Sequence, residues 1–312
     1  MKVAAVQMEA ALGRVSGNLE QAGRLAEEAF ASGAHWVILP EFFTSAMGFS
    51  PDMEGAARPL HGEPVRFLET LAKRHKGTIG GSCLAVRDGE CYNTFVLVQP
   101  DGTKHFHDKD QPTMWENCYY VGGTDSGVLD TGALKAGVAL CWEFVRTRTV
   151  RRLRGRVNLV VGGSCWWDLP RMRLPGFGPD VSRRNRRIMY ETPGEFARLV
   201  GAPVVHAAHA GTFSGKMPWL PGFPYRSNFL GETQITDANG NILARRTMQE
   251  GAGIILADIK PAMVPSPTAE VPPRFWVPDL PGQIRFAWIY QNLHGRRYYR
   301  KHTRKRLARD FS

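Results

Sequence analysis

The reading of the chain turns on Gly137-Val138-Ala139-Leu140-Cys141-Trp142-Glu143. Small and apolar residues end a buried strand, and Cys141 follows at once. Spacing predicts a helix over 144–154. A thiol at such a corner is held rigidly, with its sulfur free of the strand packing. The first N–H groups of a helix lack partners and favour an anion, so they can depress a thiol pKa and support an oxyanion. A buried core cysteine fits the same seven residues.

Outward from this corner the chain alternates strands and helices. Strands are expected at 3–7 and 36–40, with an amphipathic helix over 18–32 between them. A helix over 62–75 leads to strands 78–86 and 93–99, joined through Asp88-Gly89, a hairpin turn signal. Short strands follow at 104–109, 134–140 and 157–161. The second half predicts a helix over 182–200, broken near Pro193-Gly194, then strands at 203–208, 227–236, 242–246 and 253–259. Strands linked by hairpins next to strands linked by helices make the sheet mixed. No GxGxxG or GxxxxGK[ST] follows a strand, so the dinucleotide and P-loop readings lose their main support. No domain boundary is evident before about residue 260.

The chain has 312 residues, 43% of them hydrophobic, enough for a large α/β core. No apolar run reaches membrane-spanning length, and residues 1–8 read as a strand instead of a signal peptide. Five cysteines, without a CxxC, suit a reduced, cytoplasmic protein with no structural zinc. His105 with His107, and His206 with His209, lack further ligands at metal-site spacing. The net charge is +11, yet residues 296–309 hold eight Lys or Arg and no acid. The basicity is largely a tail property and licenses solubility or nonspecific polyanion binding, not catalysis.

Three residues stand at strand ends with complementary chemistry. Glu41 follows 36–40, Lys109 closes 104–109, and Cys141 follows 134–140. A thiol that attacks an amide or nitrile carbon must lose its proton. A carboxylate can take that proton and pass one to the leaving nitrogen, and an ammonium can hold the oxyanion. Each residue alone is a weak signal; the combination is not.

The matching pieces are Leu39-Pro40-Glu41-Phe42, Lys109-Asp110-Gln111-Pro112-Thr113-Met114-Trp115-Glu116, Leu140-Cys141-Trp142-Glu143 and the late stretch 231–240. In these the chain resembles the nitrilase, or carbon–nitrogen hydrolase, superfamily over roughly residues 1–260. The resemblance implies an α/β fold, a four-layer α-β-β-α sandwich with two mixed β-sheets. It implies Glu41 as general base and acid, Lys109 as stabiliser of the tetrahedral intermediate and Cys141 as nucleophile. Glu116 would orient substrate and lysine. It further implies no metal or organic cofactor, and a homodimer or larger homo-oligomer. Glu232 stands where a serine is common.

Substrate class is harder to read. Lys109-x-x-Pro112-Thr113-x-x-Glu116 and Cys141-Trp142-Glu143 resemble true nitrilases, whereas Tyr119-Tyr120-Val121-Gly122-Gly123 resembles amidases and carbamoylases. The expectation is a small-molecule amide or N-carbamoyl compound hydrolysed through a thioester, with nitrile hydrolysis as the alternative. Phe42, Trp115, Trp142, Trp166 and Trp167 are candidates for an aromatic pocket. Arg146 and Arg148 fit a solvated helix face with Arg151, Arg152 and Arg154. His105 or His107 could instead partner a thiol. Residues 261–312 read as a C-terminal extension: a proline-rich stretch, then apolar and aromatic groups at 284–290 and 298–299 that pack on a partner subunit or back across the core. A noncatalytic protein that binds nucleic acid through this basic tail is a further alternative; specific nucleic-acid or membrane partners are not expected.

Overall fold

The computed structural model describes residues 1–170, 179–217, 220–265, 271, 273–277 and 280–311. Its strands are β1 (Lys2–Met8), β2 (Trp36–Ile38), β3 (Arg58–Pro59), β4 (Thr78–Arg87), β5 (Glu90–Val98), β6 (Lys104–Asp108), β7 (Val128–Asp130), β8 (Lys135–Leu140), β9 (Leu159–Ser164), β10 (Val204–His209), β11 (Thr212–Met217), β12 (Leu220–Asn228), β13 (Gly231–Thr236), β14 (Ile242–Thr247) and β15 (Gly253–Asp258). The helices are α1 (Val15–Ala31), α2 (Glu63–His75), α3 (Thr147–Leu153), α4 (Pro179–Val200), α5 (Gly282–Tyr298) and α6 (Arg304–Asp310).

Two strand rows meet at the centre: β6-β5-β4-β2-β1 and β10-β9-β8-β7. β1 and β10 pair only at Gln7↔Ala208 and Met8↔His209. Away from that junction they separate. β15 runs antiparallel along β1, and β13 runs antiparallel along β10. The sheets therefore splay into two layers that face one another. Alternation along each strand fills both sides. Val3 and Ala5 of β1 join Ile38, Val138, Val161 and Val205 in the core between the sheets. Ala4, Val6 and Met8 point the other way, into the core beneath the helices. On α1, Val15, Leu19, Ala22, Ala26 and Ala29 form the buried stripe. The result is the four-layer α-β-β-α sandwich.

Several local expectations are corrected. Residues 141–154 are not a strand running directly into one helix. A 3-10 turn, Cys141–Val145, comes first, and α3 begins only at Thr147. Arg146 between them is extended and bridges to Phe275. α4 continues through Pro193. There the preceding residue, Thr192, turns its hydroxyl to the Ile188 carbonyl at 2.6 Å. The expected strand 227–236 is two strands. β12 leaves the main sheet to pair with β11, and the chain bends at Gly231 and Glu232, both at φ 65°. Glu232 turns outward to a two-pronged pair with Arg245, at 2.6 and 2.8 Å.

The C-terminal residues fold back on their own chain. α5 packs against the 3-10 turn Met114–Cys118. The Tyr299 hydroxyl accepts the Cys91 N–H at 2.9 Å and donates to Glu90 at 2.6 Å. Part of the basic charge is also spent internally, through Arg304 on Glu90 and Arg306 on Glu54.

Candidate active site

Glu41, Lys109 and Cys141 come from three different strand ends, and the sheet brings them to one place. β2 lies between β1 and β4, and its continuation is pinned to β4 by Leu39 N–H on the Gly80 carbonyl and Phe42 N–H on Ser82 Oγ. That leaves Glu41 at the edge, fully buried. β5 carries Asn93, which serves two of the three. Its carbonyl accepts the Lys109 N–H at 2.9 Å, and its side-chain amide donates to Glu41 Oε1 at 2.9 Å. Just past the end of β9, the Cys165 N–H donates to Glu41 Oε2 at 2.9 Å. A side chain at Gly163 would sit 2.2 Å from the Ala207 carbonyl and 3.3 Å from the Glu41 nitrogen, so only glycine lets β9 come this close.

The Lys109 ammonium lies 2.8 Å from Glu41 Oε1 and 2.7 Å from Glu116 Oε2. Glu116 is in turn held by the Thr113 N–H at 2.8 Å and by the Tyr120 hydroxyl. The Cys141 sulfur and the carboxylates of Glu41 and Glu116 each present an atom within 4.8 Å of the other two. Three such ligands could take a metal ion by distance alone. Here Lys109 already provides the cation between the two carboxylates.

Burial and proximity set the proton affinities. Burial raises Glu41 most, against the pull of Lys109, to about 7. Burial opposes the charge on Lys109, but Glu116 and Glu41 outweigh it and hold the ammonium above its ordinary range. Burial, then the Glu41 charge, push the Cys141 thiol well up. The helix-end effect expected from sequence does not win. Cys141 rests as a thiol at φ 48°, an uncommon backbone for a side-chain-bearing residue, with an acceptor carboxylate beside it.

A second buried cluster braces the first. Glu143 Oε2 accepts the Leu140 N–H at 2.9 Å and contacts His107 Nε2 at 3.1 Å. Glu143 Oε1 accepts the Asp110 N–H at 3.1 Å and Arg152 at 3.2 Å. The strand that presents Cys141 is thus tied to the loop that presents Lys109. His107 has its other nitrogen on Asp125 at 2.6 Å, so it does not partner the thiol. His105 pairs with Gln99, His206 with Ser164, and His209 with the Glu41 carbonyl at 2.7 Å. Arg146 is buried instead of solvated. It binds Asp110, the Gln111 carbonyl and Thr113, clamping the Lys109 loop.

Cys141 opens onto a cavity of about 460 Å³. Trp115, Trp142, Trp166 and Trp167 are on its wall. Phe42 is not. It lies behind the site at φ 53°, against Tyr120. Sequence reasoning missed Asn93, the Cys165 N–H and the bond from Tyr120. It also missed that α5 closes the cavity with Ile284, Phe286, Ala287 and Tyr290. Tyr120 stood in a stretch already singled out. Residues 284–290 of α5 stood out as a packing surface but not as a cavity wall, and Asn93 had no local signal, because these roles depend on which distant strand or turn they meet.

The sequence pattern of the family described as carbon-nitrogen hydrolase matches residues 2–166, just over half of the chain. The chain belongs to this family. It is similar to the omega-amidase NIT2 of Mus musculus, 32% identical over 181 residues, covering 51% of this chain and 64% of that protein. A nitrilase of Pyrococcus abyssi is 32% identical over 159 residues, covering 49% and 60%. The matches thus span less than two thirds of these relatives' own lengths. The fold is similar to that of a carbon-nitrogen hydrolase from Helicobacter pylori G27, with a TM-score of 0.69 and 18% identity over 83% of this chain and 89% of that one.

Proposed function

We propose that this protein hydrolyses a non-peptide carbon–nitrogen bond of a small amide or N-carbamoyl compound, with Cys141 as nucleophile and no metal or organic cofactor. The observation that carries the reading is the buried cluster of Glu41, bonded to Lys109, beside Cys141, which lines the cavity. Glu41 takes the thiol proton as the sulfur attacks the carbonyl carbon. Lys109 steadies the negative oxygen that forms. Glu41 then gives its proton to the nitrogen, the carbon–nitrogen bond breaks, and ammonia or an amine leaves a thioester on Cys141. Glu41 next takes a proton from water as the water attacks. The acid departs and the sulfur recovers its proton. A carboxyl whose pKa is raised to about 7 is suited to both directions of transfer. Glu116 holds Lys109 toward the site.

A nitrile is the second reading, favoured by the spacing Lys109-x-x-Pro112-Thr113-x-x-Glu116 and by similarity to the Pyrococcus abyssi nitrilase. The same thiol would then form a thioimidate, and water must add before ammonia departs. Matched amides, N-carbamoyl compounds and nitriles assayed for ammonia, with Cys141→Ala as blank, separate the two. Amide or carbamoyl turnover is expected to exceed nitrile turnover; the reverse order overturns the substrate class.

Residues 1–260 are proposed as the hydrolase domain and 261–312 as an extension that walls the cavity. The protein is proposed to be cytoplasmic, in keeping with five free, buried cysteines. Among the described residues no helix is long and apolar enough to cross a membrane.

A further inference from the structure

We infer that Asp168 makes the cavity selective for a substrate whose apolar body ends in an ammonium group. This rests on the hydrolase reading above and specifies its substrate. Asp168 is the one charged side chain among the described residues of the wall. It is buried at 7% exposure. The indoles of Trp115, Trp142, Trp166 and Trp167 line the same cavity. Trp115 stacks on Trp167 with ring centroids 4.3 Å apart, and Trp142 lies against Trp166 at 5.9 Å. Indole faces attract cations, and the attraction grows when water is excluded. A carboxylate in such low-dielectric surroundings repels an anion and favours an ammonium more strongly than it would in water.

The partners of Asp168 leave room for this role. Oδ1 accepts the Leu169 N–H at 2.9 Å and Oδ2 accepts Ser182 Oγ at 2.7 Å, both neutral donors. The remaining contacts are long, Asn185 Nδ2 at 3.4 Å and Arg186 Nε at 3.7 Å. Arg186 is half exposed and approaches from outside the wall, where an ion pair is weak. A ligand ammonium would take the place of these long contacts. The Asp168 carbonyl, by contrast, is committed to the fold through Tyr225 and Ser227 at 2.8 and 2.9 Å.

The test compares three amides of equal chain length, ending in amino, methyl or carboxylate groups. With wild-type protein, kcat/KM for the amino amide is expected to exceed that of the methyl amide by about tenfold, carried by KM. The carboxylate amide should be the poorest. In Asp168→Asn, which keeps the size and the Leu169 bond and can donate its amide N–H to the Ser182 hydroxyl, the amino-to-methyl ratio should collapse to within about twofold of one. A purely structural Asp168 would lower all three rates and leave the ratio where it was, overturning the inference. So would wild-type preference for the methyl or carboxylate amide, while turnover itself would leave the hydrolase reading standing. If wild type releases ammonia from none of the three, the hydrolase reading fails. Calorimetric titration of the same compounds into Cys141→Ala then decides selectivity without turnover or the Asp168 variant. Tighter binding of the amino amide supports it and equal binding rejects it.

Discussion

The side-chain oxygen of Asn292, in α5, accepts the backbone N–H of Met114 at 2.9 Å. It also accepts Asn117 Nδ2 at 2.9 Å, and all of these groups are buried. One amide thus fastens the C-terminal helix to the turn that carries Glu116. Asn292→Ala would leave the Met114 N–H buried and unpaired, a cost of ~1–3 kcal/mol. A lower thermal midpoint is expected, with a raised KM because α5 is also the cavity wall. Asn292→Asp keeps an acceptor and should restore part of both. Unchanged midpoint and KM in Asn292→Ala would refute the fastening role.

In the proposed reaction Glu41 must be ionised to take the thiol proton. Burial raises its pKa from 4.5 to about 7, with Lys109 opposing. The rate should therefore rise with pH through an acid limb near 7, well above the range of a solvated carboxylate. A profile of kcat/KM on a neutral amide checks this. A limb near 4.5 would mean that Glu41 is solvated in the working enzyme. Glu41→Gln keeps the size of the group and should lose acylation.

His107 gives the opposite dependence, in stability. Burial disfavours its charge, but Glu143 and then Asp125 lift its pKa from 6.5 to about 9. A raised histidine pKa stabilises the fold fully below about 6.5, and the contribution is lost as pH rises through about 9. The wild-type thermal midpoint should fall across that window, and the fall should be shallower in His107→Gln. Parallel curves would show that His107 is not charged in the fold. Removing the other partner, as in Glu143→Gln, leaves buried positive charge unbalanced and should cost ~3–5 kcal/mol.

The sandwich and the reactive group were legible because both rest on short-range signals. The alternation in β1 sends Val3 and Ala5 one way and Ala4 and Val6 the other, and that pattern is written in consecutive residues. Glu41 and Cys141 each follow an apolar strand, and Lys109 follows a short extended run. What escaped depends on long-range pairing. Arg146 reads as one more arginine in a basic run until Asp110 is brought to it by the loop after β6. Asn93 is an ordinary strand residue until β5 meets both Lys109 and Glu41. Phe42 was expected on the pocket wall by its aromatic character, but the turn at φ 53° sends it to the rear.

α5 leaves Phe286, Ile289 and Leu293 exposed at 69, 57 and 58%. Their i, i+3, i+7 spacing puts them on one face. Self-association through that face is expected. Light scattering should find a dimer or larger species, and Ile289→Glu with Leu293→Glu should shift it toward monomer. Wild-type protein that scatters as a monomer at every concentration tested would rule this face out as a subunit contact.

Two buried thiols flank Glu41, and the geometry distinguishes them. Cys141 reaches the cavity, whereas Cys165 is fully buried and is not on the wall. Cys165 serves Glu41 through its backbone N–H, which any residue but proline supplies. Burial pushes both thiols well up, so proton affinity alone does not choose between them. Access to the substrate does, together with the Glu41 carboxylate within 4.8 Å of the Cys141 sulfur. Cys165→Ala is therefore expected to keep turnover, at a packing cost of about 1 kcal/mol. Cys141→Ala should lose turnover and keep the fold. Mass spectrometry of wild-type protein quenched during reaction should find the acyl group on the peptide that contains Cys141. An adduct on Cys165, or ammonia release that survives Cys141→Ala, would move the nucleophile elsewhere.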